Sequence, residues 1–302
     1  MNVFYADHHV VPLPPGHRFP MSKYAALRHE LVQRGVVPAA DFVEAPLVSR
    51  ADLVRVHDED YVDAFTAGRL PDKMMREIGL PWSRELVLRT LASAGGTVAA
   101  TRDARQTGIG ANLAGGTHHA RRDRGSGFCV FNDLAIAAAY ALVNGARSVL
   151  VFDADVHQGD GTAAIFADQP RVFTCSIHGA RNFPFRKETS DLDVELPDNT
   201  GDEPYLATIR AAWQTAISRS TPELVLYQAG VDPLGDDKLG RLSVTAAGLA
   251  ERDRFVLGAA KAAGIPIVLT LGGGYAIPIE ASIDAHIATY RAARDLYPSA
   301  QR

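Results

Sequence analysis

Cysteine is scarce in this chain of 302 residues, with Cys129 and Cys175 alone. Two cysteines cannot make a disulfide framework, and neither sits in the CxxC spacing of a structural zinc site. Long hydrophobic runs are also missing: the longest, Leu134 to Val143, is about half a membrane span. Charge is nearly balanced, at 31 Lys and Arg against 35 Asp and Glu, for a formal net of −4. No global positive field therefore draws the protein to nucleic acid or to an anionic membrane. The start, MNVFYADHHVVPLPPGHRF, reaches Asp7 and His8 too early for a signal peptide. These absences lead us to expect a cytoplasmic, reduced protein without membrane or direct nucleic-acid contacts. No GxSxG elbow supports serine catalysis and no HExxH helix supports a zincin. No repeat, low-complexity tract or Ser/Gly linker divides the chain, so residues 1–302 are expected to form a single domain.

Apolar residues make up 47% and charged residues 22%, enough for a substantial core. Five short β-branched runs stand out: Ile109–Leu113, Ser148–Phe152, Arg171–Ile177, Leu224–Tyr227 and Ile265–Leu271. Helix-like segments alternate with them: Leu86–Arg105, Asp133–Asn144, Glu203–Ser218 and Ala246–Ala263. Strand–helix alternation predicts an α/β fold, a mostly parallel sheet with helices on both faces. Gly145 and Gly264 come just after two of the helices, as C-terminal glycines do.

The chemistry sits in the segments just beyond the strands. AGGTHHA comes after the first, DADVHQGDG after the second, His178 after the third, QAGVDPLGDD after the fourth and GGGYA after the fifth. Parallel sheets bind ligands outside the carboxyl ends of their strands, so these segments should converge there. In Asp153-Ala154-Asp155-Val156-His157 alternate residues share a face, placing Asp153, Asp155 and His157 together. Such a set is costly to bury unless a cation holds it. Asp155, His157 and Asp232 make a three-ligand set that leaves a position open for water, the mark of a catalytic metal. The competing reading of the first segment is a polar loop with Asp153 capping the next helix. His118-His119 comes after two glycines, with Asp153 and Asp160 available to orient the rings, as a general base requires. His8-His9 lacks such company and reads as structural. Gly272-Gly273-Gly274 has neither the GKS/T ending nor the GxGxxG spacing of a phosphate cradle. Those glycines instead let Tyr275 turn its hydroxyl towards the metal as an oxyanion donor. Arg121-Arg122-Asp123-Arg124 reads as a solvated loop at the rim of the site.

GGTHHARRDRGSGFCVFND (115–133), VFDADVHQGDGT (151–162), AGVDPLGDDKLGRL (229–242) and LGGGY (271–275) resemble the arginase–deacetylase superfamily, and within it the zinc-dependent histone deacetylases. DPLGDDKLGRLSVTAAGLAERD (232–253) and IGLPWS (78–83) resemble the class IV branch and its bacterial members. The resemblance runs from about Gly16 to Tyr275. It implies an arginase/deacetylase-like fold with the active site at the carboxyl ends of the strands, and hydrolysis of Nε-acyl-lysine amides. Asp155, His157 and Asp232 match the metal ligands. His118 matches the histidine paired with Asp153, His119 the general base paired with Asp160, and Tyr275 the transition-state tyrosine. Gly127, Phe128 and Phe183 match the walls of the substrate tunnel. A structural K⁺ maps onto Asp153, Asp155, His157, Ser176 and Ile177. Counting back from Gly95-Gly96 puts Leu80 where class I members hold a rim aspartate. Zn²⁺ is the expected metal, although so hard a donor set also admits Fe²⁺, Co²⁺ or Mn²⁺. The expected partner is an acyl-lysine protein or peptide. The alternatives are a small acylated amine such as an acetylpolyamine, and a non-catalytic acyl-lysine reader. Acetyl and long fatty acyl groups stand nearly equal as the group removed, Ala114, Gly115 and Gly116 leaving room for the longer.

Overall fold

The structure is a computed structural model that describes residues 1–298. Eight strands form one sheet: β1 (Val3–Tyr5), β2 (Phe42–Glu44), β3 (Ile109–Asn112), β4 (Val149–Asp153), β5 (Val172–Gly179), β6 (Leu192–Leu196), β7 (Leu224–Gln228) and β8 (Ile267–Thr270). Their order is β2-β1-β3-β8-β7-β4-β5-β6, and every pairing is parallel. The five predicted strands are its centre. The edge strands β2 and β6, and β1 beside β2, were not anticipated, because three-residue runs and the half-exposed LDVEL segment leave too little periodicity to read.

The helices are α1 (Lys23–Gln33), α2 (Arg50–Leu53), α3 (Glu59–Thr66), α4 (Asp72–Ile78), α5 (Arg84–Thr107), α6 (Asp133–Val143), α7 (Asp160–Phe166), α8 (Asp202–Ser220), α9 (Ala246–Ala262) and α10 (Glu280–Leu296). The strand pleat divides them between two cores. Leu150, Phe152, Val225, Tyr227, Ile267 and Leu269 pack with residues of α1, α8, α9 and α10. Their alternates Val149, Val151, Leu224, Leu226 and Val268 pack with α5 and α6 on the other face. Helix ends obey local chemistry: the side chains of Ser83, Asn132 and Thr245 accept from the backbone N–H of Leu86, Ala135 and Gly248. Among the described residues no helix is long and apolar enough to cross a membrane.

β3 and β4 are consecutive central strands in the chain, yet β8 and β7 lie between them. The connections therefore part here, opening a crevice at the carboxyl ends of the strands. Beneath it Arg252 of α9, fully buried, pairs with Asp253 and donates to the carbonyls of Gly230 (2.6 Å) and Ala154 (3.3 Å). Asp253 also accepts from the hydroxyls of Tyr227 and Thr289, both at 2.5 Å. This buried cation satisfies carbonyls that the departing loops of β4 and β7 leave without sheet partners.

Candidate active site

A cavity of about 940 Å³ opens over that crevice. His118, His119, Asp155, His157, Asp232 and Tyr275 all line it, so residues from four separate connections meet in one place. The ligand atoms of Asp155, His157 and Asp232 lie within 4.8 Å of one another, and all three residues are buried. His157 Nδ1 is 3.0 Å from Asp155 Oδ1 and 3.1 Å from Asp232 Oδ2. The remaining carboxylate oxygens are fixed by the backbone: Gly273 N–H donates to Asp155 Oδ2 (2.8 Å) and Val156 N–H to Asp232 Oδ1 (2.9 Å). Burial works against charge on His157, but hydrogen bonds to Asp155 and Asp232 outweigh it and push the imidazole up to about 10. Burial and repulsion from Asp155 raise Asp232 to about 7. Two buried carboxylates thus draw positive charge into the space between them. A buried donor set of this composition, with each carboxylate oxygen oriented, fits a divalent metal.

The two adjacent histidines have separate carboxylates. His118 Nδ1 lies 2.6 Å from Asp153 Oδ2, and His119 Nδ1 lies 2.7 Å from Asp160 Oδ1. Their Nε2 atoms are 3.1 Å apart. Burial opposes charge on His118, but Asp153 and Asp155 prevail and raise it to about 9. Burial and the neighbouring His118 pull His119 down to about 4 in spite of Asp160. These shifts favour the charged form of His118 and the neutral form of His119, the divergence by which neighbouring groups are set apart as acid and base. Asp153 does not cap the next helix, since the N-cap of α7 is Gly159 and no side chain caps it.

Tyr275 is aimed by its own backbone. Its N–H donates to Asp237 Oδ2 (2.6 Å), and Asp237 Oδ1 also receives the N–H groups of Leu239 and Gly240. Burial, with Tyr24, Asp155 and Asp232 nearby, holds the phenol well above its usual range, so it remains a donor. Phe128 lies 6.2 Å from the Tyr275 ring, and Phe183 stands edge-on to His119 at 4.9 Å. Gly127 passes so close that a Cβ there would meet His119 Cδ2 at 2.6 Å. Gly127, Phe128 and Phe183 therefore stand together in the wall. Leu80, buried, lines the same cavity and brings no carboxylate to it. Asp153 and Ser176 are register partners on β4 and β5, which brings the five residues named for potassium to adjoining strand ends. His8 and His9 lie apart, their ring centroids 4.0 Å from each other at a tilt of 46°, with His8 paired to Glu44.

Several parts of the site were not legible beforehand. Arg121, expected to be solvated, instead donates to Asp160 Oδ2 (3.1 Å) and Glu188 Oε1 (2.7 Å), while Arg122 holds the carbonyls of Val56 and Ile165. An arginine run signals charge but not which members fold inwards. Lys23 is buried and donates to Gly274 O (3.1 Å); burial lowers it to about 8 against the pull of Asp232 and Asp237. Gln228, at the end of β7, places Nε2 2.9 Å from His118 Nδ1. Gly115 and Gly116 serve close approach rather than open space. A Cβ would strike Asp133 Oδ2 at 2.4 Å or Gly272 Cα at 2.6 Å. Ser93 accepts from Gly115 N–H (3.1 Å) and lines the cavity with Leu86 and Thr90, so α5 forms part of the wall.

A wholly parallel sheet with histidines and carboxylates gathered at its strand ends is the architecture of the arginase–deacetylase superfamily. Residues 17–290 match the histone deacetylase domain, and the chain belongs to that family of hydrolases. It is 46% identical over 296 residues to an uncharacterized protein of Picosynechococcus, covering 98% of this chain and 99% of that protein. It is 30% identical to histone deacetylase 2 of Arabidopsis thaliana, over 86% of this chain and 70% of that one. Among solved structures, an HDAC homolog complexed with SAHA superposes with a TM-score of 0.84 at 21% identity, over 100% of this chain and 85% of the other. An acetylpolyamine aminohydrolase from Burkholderia pseudomallei gives 0.75 at 22%, over 98% and 99%. At such identities these two likenesses concern the fold.

Proposed function

We propose that the chain hydrolyses the amide bond of Nε-acyl-lysine in proteins or peptides. The observation that carries this reading is the histidine pair, each ring on its own carboxylate, facing the Asp155–His157–Asp232 set and Tyr275 inside one cavity. Asp155, His157 and Asp232 would hold a divalent ion, Zn²⁺ by family and Fe²⁺, Co²⁺ or Mn²⁺ by donor hardness. When bound, such an ion supplies Lewis acidity, polarising the acyl oxygen and making water a stronger acid. His119 takes the proton of the attacking water on its unprotonated Nε2, while Asp160, braced by Arg121, keeps the ring in that tautomer. The Tyr275 hydroxyl donates to the acyl oxygen as negative charge develops there. His118, protonated against Asp153, is the source of the proton for the departing amine. Phe128 and Phe183 flank the lysine stem, with Gly127 giving it passage. The structural K⁺ belongs to the same proposal, on Asp153, Asp155, His157, Ser176 and Ile177. The 78–83 and 232–253 stretches favour the class IV branch. We assign the reaction to the cytoplasm, with neither nucleic acid nor membrane as a partner.

The test is kcat/KM on one peptide bearing acetyl-, octanoyl- or myristoyl-lysine, with acetylputrescine alongside. Hydrolysis of any peptide in preference to acetylputrescine supports the reading, and the rank among the three sets the acyl length. Turnover of acetylputrescine alone makes the chain a small-amine amidohydrolase. Tight peptide binding without turnover in metal-replete protein makes it a reader.

A further inference from the structure

The mouth of the cavity is basic although the whole chain is net negative, at −4. Arg18, Arg76, Arg181, Lys238 and Arg241 line it from four separate segments, and all are exposed. The one exposed carboxylate among the lining residues is Glu77. Asp198 answers two of the cations, lying 3.4 Å from both Arg181 and Arg241. Arg18, Arg76 and Lys238 have no ion-pair partner among the described residues. Counting Glu77 and Asp198, cations still outnumber carboxylates five to two at the opening. Leu80, in the wall, adds no acid. From this we infer that the site prefers acyl-lysines carried in acidic sequence, with aspartate or glutamate beside the modified residue, over those in lysine- and arginine-rich tails. The inference rests on the acyl-lysine reading and names the substrate class within it.

Physical scale supports it. Residues one or two positions from the modified lysine lie within about 7 Å of it along the chain. That is inside the Debye length of about 8 Å at physiological salt, so flanking charges feel the mouth directly. A cleft lined by one sign of charge focuses its field and raises encounter with the opposite sign. The acylated side chain is neutral and enters without penalty, so discrimination falls on the flanks. A free acetylated polyamine presents an ammonium group to the same mouth and is disfavoured by the same field.

Three peptides with one central acyl-lysine and acidic, neutral or basic flanks test this, as kcat/KM from low salt to about 0.5 M. We expect the acidic peptide to lead the basic one by roughly tenfold at low salt, shrinking to about twofold at high salt. The Arg18→Glu/Arg76→Glu double variant should lose or reverse that order. Equal turnover of the three peptides by the unmodified protein at low salt, or a lead for the basic one, overturns the inference. If the double variant turns over nothing, the salt series on the unmodified protein decides. If the unmodified protein hydrolyses none, fluorescence anisotropy of the same labelled peptides separates the two readings. Acidic-first binding keeps the basic mouth and sinks the hydrolase, whereas binding without rank sinks both.

Discussion

Tyr275 reaches the cavity because three separate groups shape the chain before it. Lys23 holds the Gly274 carbonyl, Asp237 receives the Tyr275 N–H, and Gly274 sits at φ 149° where a Cβ would meet Val231 at 2.7 Å. The phenol then needs only to remain protonated, which burial ensures. Tyr275→Phe keeps the ring and removes the donor. We expect kcat to fall about a hundredfold, roughly 3 kcal/mol, with KM little changed; unaltered kcat on an acyl-lysine peptide would remove Tyr275 from the chemistry. His57 offers a different residue-scale prediction. It is buried between the Arg121 carbonyl, to which Nδ1 donates, and the Asn132 N–H, which donates to Nε2. Burial lowers it from the ordinary 6.5 to about 4. Between those values the unfolded chain binds more protons than the folded one, so stability rises with pH. The contribution is complete above about 6.5 and is lost as pH falls towards 4, by up to about 3 kcal/mol. His57→Gln should therefore flatten the decline of Tm between pH 7 and 4.5. Identical slopes in the two proteins would mean that His57 does not titrate in this way.

Among the elements, α5 shows how close approach is written into sequence. Gly95 lies against the Pro46 carbonyl, and Gly110 of β3 against the Ala100 carbonyl; a Cβ would come within 1.8 and 1.9 Å of those oxygens. Backbone cannot give way as a side-chain tip can, so Gly95→Ala should destabilise the fold by more than about 2 kcal/mol. A Tm within one degree of the parent's would show that α5 can shift. This spacing also explains what could be read beforehand. The central strands β3, β4, β5, β7 and β8 are buried on both faces and read as continuous apolar runs. The long helices α5, α6, α8 and α9 separate them visibly, and both ends of each lay within two residues of expectation. α1 to α4, α7 and α10 escaped notice. Most are short, and α1 buries Lys23 where polarity argues for exposure. The gathering of the candidate site residues in one cavity was more legible than the frame, since candidate metal ligands and bases are drawn from a few residue types. The supports were not, because Lys23, Arg121 and Gln228 act through positions that only the fold brings near.

For the molecule as a whole, the three candidate ligands tie together the ends of β4 and β7, two adjacent central strands. Without a cation that junction buries two carboxylates around one imidazole, and burial together with repulsion from Asp155 already raises Asp232 to about 7. A metal that binds only the folded chain stabilises it by mass action, by about 2.7 kcal/mol at a hundredfold excess over Kd. For a chain of this size that corresponds to a rise in Tm on the order of 5 °C. Chelation should lower Tm by that amount and added Zn²⁺ should restore it. Asp232→Asn removes a ligand and also relieves the repulsion. The variant should therefore melt no lower than the chelated parent and should lose the response to Zn²⁺. A parent whose Tm ignores both chelator and metal, while elemental analysis finds no bound ion, would refute the metal centre itself. The proposed acid–base pair, His118 on Asp153 and His119 on Asp160, would then need another electrophile.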